Sequence, residues 1–312
     1  MIDKKEKFVS LVIYIHNDES IVGDSMKVIY DVIDAEFKHF EIIVVNDNSD
    51  DNSVKYINTF AEKASCPVRI IDMGYYHGLE RAIQAGVDVA IGDFVFEIDS
   101  LYIDYSPNLF LELYQKAEDG FDIVSARPHR AKTWQSKVFY QLLNFTLRDA
   151  QISSEAFRIL SRRGINRVKS ISTTTHYRKL VYAYSGLNTT SIQYDAKPLA
   201  TSKQKYGKRA VSDRRNTAVD TFIVFTDIAY RISMIFSILM ALLAFGTGIY
   251  VMASYFFLEQ LVEGWAPIMG LMSAGFCGVF IIIMVVTKYL DIILRGMFNR
   301  HAYLISSIKK IS

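Results

Sequence analysis

Two acids close an apolar run, Phe94-Val95-Phe96-Glu97-Ile98-Asp99. Side chains alternate along a strand, so Glu97 and Asp99 project to one side. Carboxylates at a strand end suit a divalent cation held against a phosphate. The alternative is a strand terminus with solvated acids. A second polar stretch, Asn46-Asp47-Asn48-Ser49-Asp50-Asp51, follows the apolar run 40–45 and is rich in helix-capping residues. Arg158, Arg162 and Arg163 are candidates for phosphate contacts, because a guanidinium matches phosphate with a planar fork and stays charged. His129 and His176 have no metal-ligand spacing and stay unassigned. There is no Ser-His-Asp arrangement, no Walker-type phosphate loop and no zinc cluster.

These residues need elements to hold them. Runs 8–15, 40–45, 68–71, 94–98 and 121–126 read as strands, and the segments between them read as helices. That alternation implies βαβ units and a parallel sheet. Right-handed crossovers then bring Asp47 and Asp99 to the same edge, where open α/β sheets bind ligands. The chain has 312 residues and a net charge of +2, so no global field points to nucleic acid. Two distant cysteines, Cys66 and Cys277, fit a reducing compartment without a disulfide framework. The charged N-terminus leads into a short strand-like run and does not read as a signal peptide.

The order of the motifs is similar to that of a known family. Residues 9–19 end in Asn17-Asp18-Glu19, like that family's opening strand and Asn-Glu-Glu turn; residues 44–51 match its Asp-Asp-Gly-Ser-x-Asp segment. Gly78 to Gly86 and Ala90-Ile91-Gly92-Asp93 match its glycine-rich helix and Gly-Asp strand start. Residues 157–163 match its Phe-Arg-Leu-x-x-Arg motif, and Lys205-Tyr206 stands where it has Ser-Lys-Tyr. Over nearly its whole length the chain resembles the family 2 glycosyltransferases of GT-A fold, above all the membrane-anchored dolichyl- and polyprenyl-phosphate type. The resemblance implies that Asp47 binds the nucleotide base. It implies that Asp99 faces the diphosphate and a Mg²⁺ or Mn²⁺ ion. Asn17, Glu19, Gly78, Arg127 and Lys205 fall on the donor side, and Arg158 faces a phosphate. For Asp47 the alternative is a helix cap. The chain departs from the pattern at Leu101, where the family has the second Asp of Asp-x-Asp, and at Ile103, where it has Gln. Tyr75-Tyr76 replaces Arg-Asn, and Ala156 replaces an Asp that is a candidate acceptor-side base; Glu155 is the nearby substitute.

Residues 232–258 and 266–287 contain no charged side chain, and each is long enough to span about 30 Å of hydrocarbon. The short acidic link carries Trp265. Basic residues flank the outer ends, which points both flanks to the cytoplasm. Lys197, Lys203, Lys205, Lys208, Arg209, Arg214 and Arg215 form a basic run before the first segment, suited to an anionic leaflet and also to the phosphate of a lipid acceptor. Residues 132–147 read as an amphipathic helix, at the membrane interface or facing a core.

The expected architecture is therefore α/β: a GT-A, Rossmann-like, mostly parallel sheet in residues 1–196, followed by two transmembrane helices. A basic juxtamembrane segment (197–231) precedes the hairpin (232–287), and a basic cytoplasmic tail (288–312) follows it. The expected function is sugar transfer from a nucleotide sugar to a polyprenyl phosphate at the bacterial plasma membrane, with the catalytic domain in the cytoplasm and homo-oligomers possible. The alternatives are a catalytically impaired scaffold that keeps the fold, and a transferase with a hydroxyl acceptor.

Overall fold

β-branched and aliphatic runs build a central sheet. In a computed structural model, β1 (Val9–Ile15), β2 (Phe40–Asn46), β3 (Val68–Met73) and β4 (Phe94–Ile98) lie parallel, in the order β4-β1-β2-β3. The described residues are 4–129, 155–171, 178–197, scattered helical positions between 235 and 293, 303 and 305–311. Every residue of β2 is buried, as expected of a strand covered on both faces. α1 (Val22–Glu36), α2 (Ser53–Ala61) and α4 (Leu109–Glu118) pack on one face, through Met26, Ile33, Ile57 and Leu113. α3 (Leu79–Val89) and α5 (Arg162–Ile171) pack on the other, through Ile83 and Ile165. Gly86 lets α3 approach closely, since a Cβ there would fall 2.3 Å from Val12 Cγ1.

The sheet continues beyond β4. β6 (Phe157–Ser161) pairs antiparallel with β4 and with β5 (Ile123–Pro128), and β7 (Thr189–Tyr194) pairs parallel with β5. A short helix, α6 (Arg178–Tyr184), precedes β7. At the opposite edge, β8 (Ile305–Lys310) pairs antiparallel with β3. The residues expected in a basic tail thus include an edge strand. Its alternation is short and Lys309 and Lys310 are both exposed, so the charge that reads as a membrane flank is also the charge that guards a sheet edge.

The chain divides into two units, Met1–Ala218 with His301–Ser312, and Val219–Arg300. Among the described residues no helix is long and apolar enough to cross a membrane. The stretches 232–258 and 266–287 lie outside the described residues except for isolated helical positions, as do the basic run 198–215 and residues 132–147.

Candidate active site

The carboxyl ends of β1, β2 and β4 meet at one edge. The chain runs from β1 outward through β2 and β3, then returns to β4 on the other side of β1. The order reverses there, and open α/β sheets take their ligands at such a point. Asp47 follows β2 and Asp99 follows β4, one on each side of β1. Arg127 lies near the end of β5 at the same edge, and Glu155 lies just before β6.

Asp47 is buried. Its Oδ1 accepts the His77 N–H at 2.8 Å; its Oδ2 accepts the Gly78 N–H at 2.8 Å and the Tyr14 hydroxyl at 3.2 Å. It caps the entrance to α3, not the helix that follows it in sequence. Gly78 is needed there, because φ 84° and ψ 161° is backbone open almost only to glycine. Burial pushes the Asp47 carboxyl up, against the His77 and Gly78 hydrogen bonds. Aromatic rings gather at this point: His16 and Tyr76 lie 4.6 Å apart, and Tyr75 stacks on His77 at 3.9 Å. The Tyr75-Tyr76 departure thus places rings beside the carboxylate expected to meet a base.

Asn17 and Glu19 staple the loops after β1 and β2. The Asn17 N–H donates to Ser49 Oγ at 3.1 Å, and Asn17 Oδ1 accepts the Asp50 N–H at 2.8 Å. Glu19 accepts the Asn52 side-chain amide at 2.9 Å and its backbone N–H at 3.2 Å. Asn17 and Asn48 hold φ of 57° and 56°, a left-handed conformation that asparagine tolerates.

Glu97 and Asp99 do share a face, because the same two guanidiniums reach both. Arg158, opposite Glu97 in the β4–β6 pairing, donates from Nη1 to Glu97 Oε2 at 3.0 Å and from Nη2 to Asp99 Oδ2 at 3.2 Å. Arg178 donates from Nη1 to Glu97 Oε2 at 2.5 Å, from Nη2 to Asp99 Oδ1 at 3.0 Å and from Nε to Glu80 Oε2 at 2.9 Å. The Tyr182 hydroxyl donates to Glu97 Oε1 at 2.6 Å. Glu155 Oε2 lies 3.1 Å from Arg158 Nε, an ion-pair distance without hydrogen-bond alignment. Burial alone would push the Asp99 carboxyl up; Arg158, Arg178 and Lys179 outweigh it and hold it below the usual range.

Several expectations change here. Arg158 is buried and its guanidinium pairs with Glu97 and Asp99. Arg162 binds the Gly92 and Ala90 carbonyls and Arg163 binds Asp122, both at the amino edge of β4. Leu101 and Ile103 are buried in the apolar cluster under α4. Nothing local in the sequence marks Arg178; its partner Glu97 is 81 residues away. Lys205 lies outside the described residues.

The described residues offer a cation no ready cage, since no group of three His, Cys, Asp or Glu among them could hold one. Asp99 fits as a single oxygen ligand. Its side chain is 12% exposed, and a carboxylate oxygen can accept a second partner beside its guanidinium. Four carboxylates (Glu80, Glu97, Asp99, Glu155) face two guanidiniums with the Lys179 ammonium nearby, so the cluster keeps an excess of negative charge and favours added positive charge.

Such a sheet and such an edge define the α/β proteins that take a ligand across the strand ends at a switch point. The chain belongs to glycosyltransferase family 2: the model of that family, "Glycosyl transferase family 2", matches residues 10–172. The fold is GT-A. A Synechocystis protein named "Uncharacterized glycosyltransferase sll0501" is 26% identical over 310 residues, 96% of this chain and 95% of that one. An undecaprenyl-phosphate 4-deoxy-4-formamido-L-arabinose transferase of Shewanella sediminis is 30% identical over 138 residues, 44% of this chain and 41% of that one. Among solved structures, glucosyl-3-phosphoglycerate synthase of Mycobacterium tuberculosis in complex with Mn²⁺, uridine-diphosphate and phosphoglyceric acid superposes with a TM-score of 0.51. Identity there is 13%, over 70% of this chain and 78% of that one, so the likeness concerns the fold. The family favours a glycosyltransferase over a scaffold that keeps only the fold.

Proposed function

We propose that the protein transfers a sugar from a nucleotide sugar to a polyprenyl phosphate at the cytoplasmic face of a bacterial plasma membrane. The observation that carries this reading is the placement of Asp47 and Asp99 on either side of β1 at the switch point. The base would lie toward Asp47 and the aromatic rings, and the diphosphate toward Asp99. A phosphate oxygen of the lipid attacks the anomeric carbon. A new C–O bond forms as the bond to the diphosphate breaks, with inversion, and the nucleoside diphosphate leaves. The attacking phosphate is already an anion at neutral pH, so no strong base is required. That chemistry tolerates Ala156 and leaves Glu155 free to pair with Arg158. The protein's part is orientation and charge placement. A Mg²⁺ or Mn²⁺ ion, when bound, would neutralise the diphosphate, with Asp99 as its protein ligand; the Mn²⁺ and uridine-diphosphate in the fold neighbour are consistent with this.

Three observations support the lipid and the membrane. One relative with partial overlap acts on undecaprenyl phosphate. Ile268, Met272, Phe276, Val279, Ile283, Val286, Leu290 and Ile293 are helical and about half exposed, an apolar stripe better matched to hydrocarbon than to water. The third is topological. Residues 1–218 and 301–312 form one unit, so the segment between them leaves and rejoins the same domain. Any passage through a membrane must then be an even number of crossings, as in a hairpin.

The test uses full-length protein in detergent, offered a panel of UDP- and GDP-sugars with polyprenyl phosphate. One nucleotide sugar should yield a lipid carrying the sugar through a single phosphate. Transfer to a hydroxyl acceptor alone would overturn the lipid assignment. A reporter active only outside the cytoplasm, fused after Ser312, should be silent. An active one would refute the topology.

A further inference from the structure

We propose that β8 is a positioning element for the donor-side turn, acting through Asp72. The inference rests on reading the β1–β2 edge as the nucleotide site. Ser307 stands opposite Asp72 in the β3–β8 pairing. Asp72 Oδ2 accepts the Ser307 hydroxyl and the Lys309 ammonium, each at 2.9 Å. Asp72 Oδ1 accepts the side-chain amide of Asn46 at 3.0 Å. Asn46, opposite Asp72 in β2, turns its own Oδ1 to the Ser49 N–H at 3.1 Å. Ser49 Oγ then accepts the Asn17 N–H at 3.1 Å. The hydrogen bonds run without a break from β8 to the turn holding Asp47, and on to the loop after β1.

The direction of the coupling follows from donor and acceptor chemistry. An asparagine side chain has a donor end and an acceptor end. The Asp72 carboxylate demands the NH₂ end of Asn46, which aims the carbonyl end at Ser49. Without β8, Asp72 loses two of its three side-chain donors and can turn to water. The Asn46 amide is then free to flip, and the Ser49 N–H loses its acceptor. β8 is an edge strand with its outer positions exposed, so it can detach without opening the rest of the sheet. It begins at Ile305, five positions after residue 300. Its pairing therefore places the donor-side turn close in chain order to the segment assigned above to the membrane.

The decisive variant is Ser307→Ala with Lys309→Met in the full-length protein. Calorimetry with UDP and GDP should show roughly tenfold weaker binding of whichever nucleotide the parent binds, an ordinary size for coupling between sites. Amide exchange at Ser49 and Asp50 should accelerate, while α4 stays protected. Ser307→Thr with Lys309→Arg keeps a hydroxyl and a cation and should keep the parent's affinity. Parent-like exchange at 49–50 in the Ala/Met variant would overturn the proposal. If the parent binds neither nucleotide, the donor-site reading fails, and the exchange measurement still decides whether β8 orders the turn.

Discussion

Glu97→Leu should lower the thermal unfolding midpoint of the full-length protein by roughly 10 °C, the effect of losing about 3–5 kcal/mol in a domain of this size. Leucine is apolar and close to glutamate in volume, so its burial returns about 1.5–3 kcal/mol. Against that stand three buried donors. Arg158 Nη1, Arg178 Nη1 and the Tyr182 hydroxyl all end on Glu97. Each donor left without an acceptor costs about 1–3 kcal/mol, and more when it is charged. The unpaired donors win. Glu97→Gln keeps an acceptor and should cost less. Adding Arg158→Leu to Glu97→Leu removes one stranded cation and should recover part of the loss, because a buried pair replaced by apolar groups is often near neutral. A midpoint within about 2 °C of the parent for Glu97→Leu would show that the cluster does not hold the domain together.

Glu97 also marks how far the sequence could be read. Its apolar neighbours identify a covered strand, and the two-residue spacing correctly places it beside Asp99. Nothing in that spacing says that both acids face inward onto arginines. Arg158 sits in a legible motif, but the motif does not say that its guanidinium pairs with Glu97 and Asp99. Arg178 opens a short helix whose partners, Glu80, Glu97 and Asp99, are close only once the sheet is closed. Sequence patterns report periodicity, and long-range ion pairs have none. The same limit explains Asp47. A capping residue after β2 is legible, but its cap serves α3, whose start comes beside it only through the β2–β3 crossover. β8 was hidden for a different reason. Two lysines after an apolar stretch satisfy a membrane rule and an edge-strand rule equally well. Six residues carry too little alternation to choose between them.

Asp99→Asn should reduce the transfer rate by at least about a hundredfold, as expected when a charge placed at the reacting diphosphate is removed. Its stability cost should be smaller than that of Glu97→Leu, since Asp99 is partly exposed and Asn keeps one acceptor oxygen. The charge balance gives the mechanism of the loss. Four carboxylates already face two guanidiniums and the Lys179 ammonium around Asp99, and a nucleoside diphosphate bound there would add further negative charge to the same edge. A divalent cation, held on the protein side by Asp99, would offset negative charge on both the protein and the diphosphate. Mn²⁺ should therefore bind weakly to the empty protein and more tightly with the nucleoside diphosphate present, and Asp99→Asn should abolish that difference. The measurement is a Mn²⁺ titration of parent and variant, with and without nucleotide, beside the rate assay. Tight binding to the empty parent would reveal further ligands beyond Asp99. No metal effect in either state would assign charge neutralisation to Arg158 and Arg178, which would have to leave Asp99 to meet the diphosphate. A rate within a few-fold of the parent would remove Asp99 from the chemistry altogether and leave it as the outer member of the Glu97 lattice.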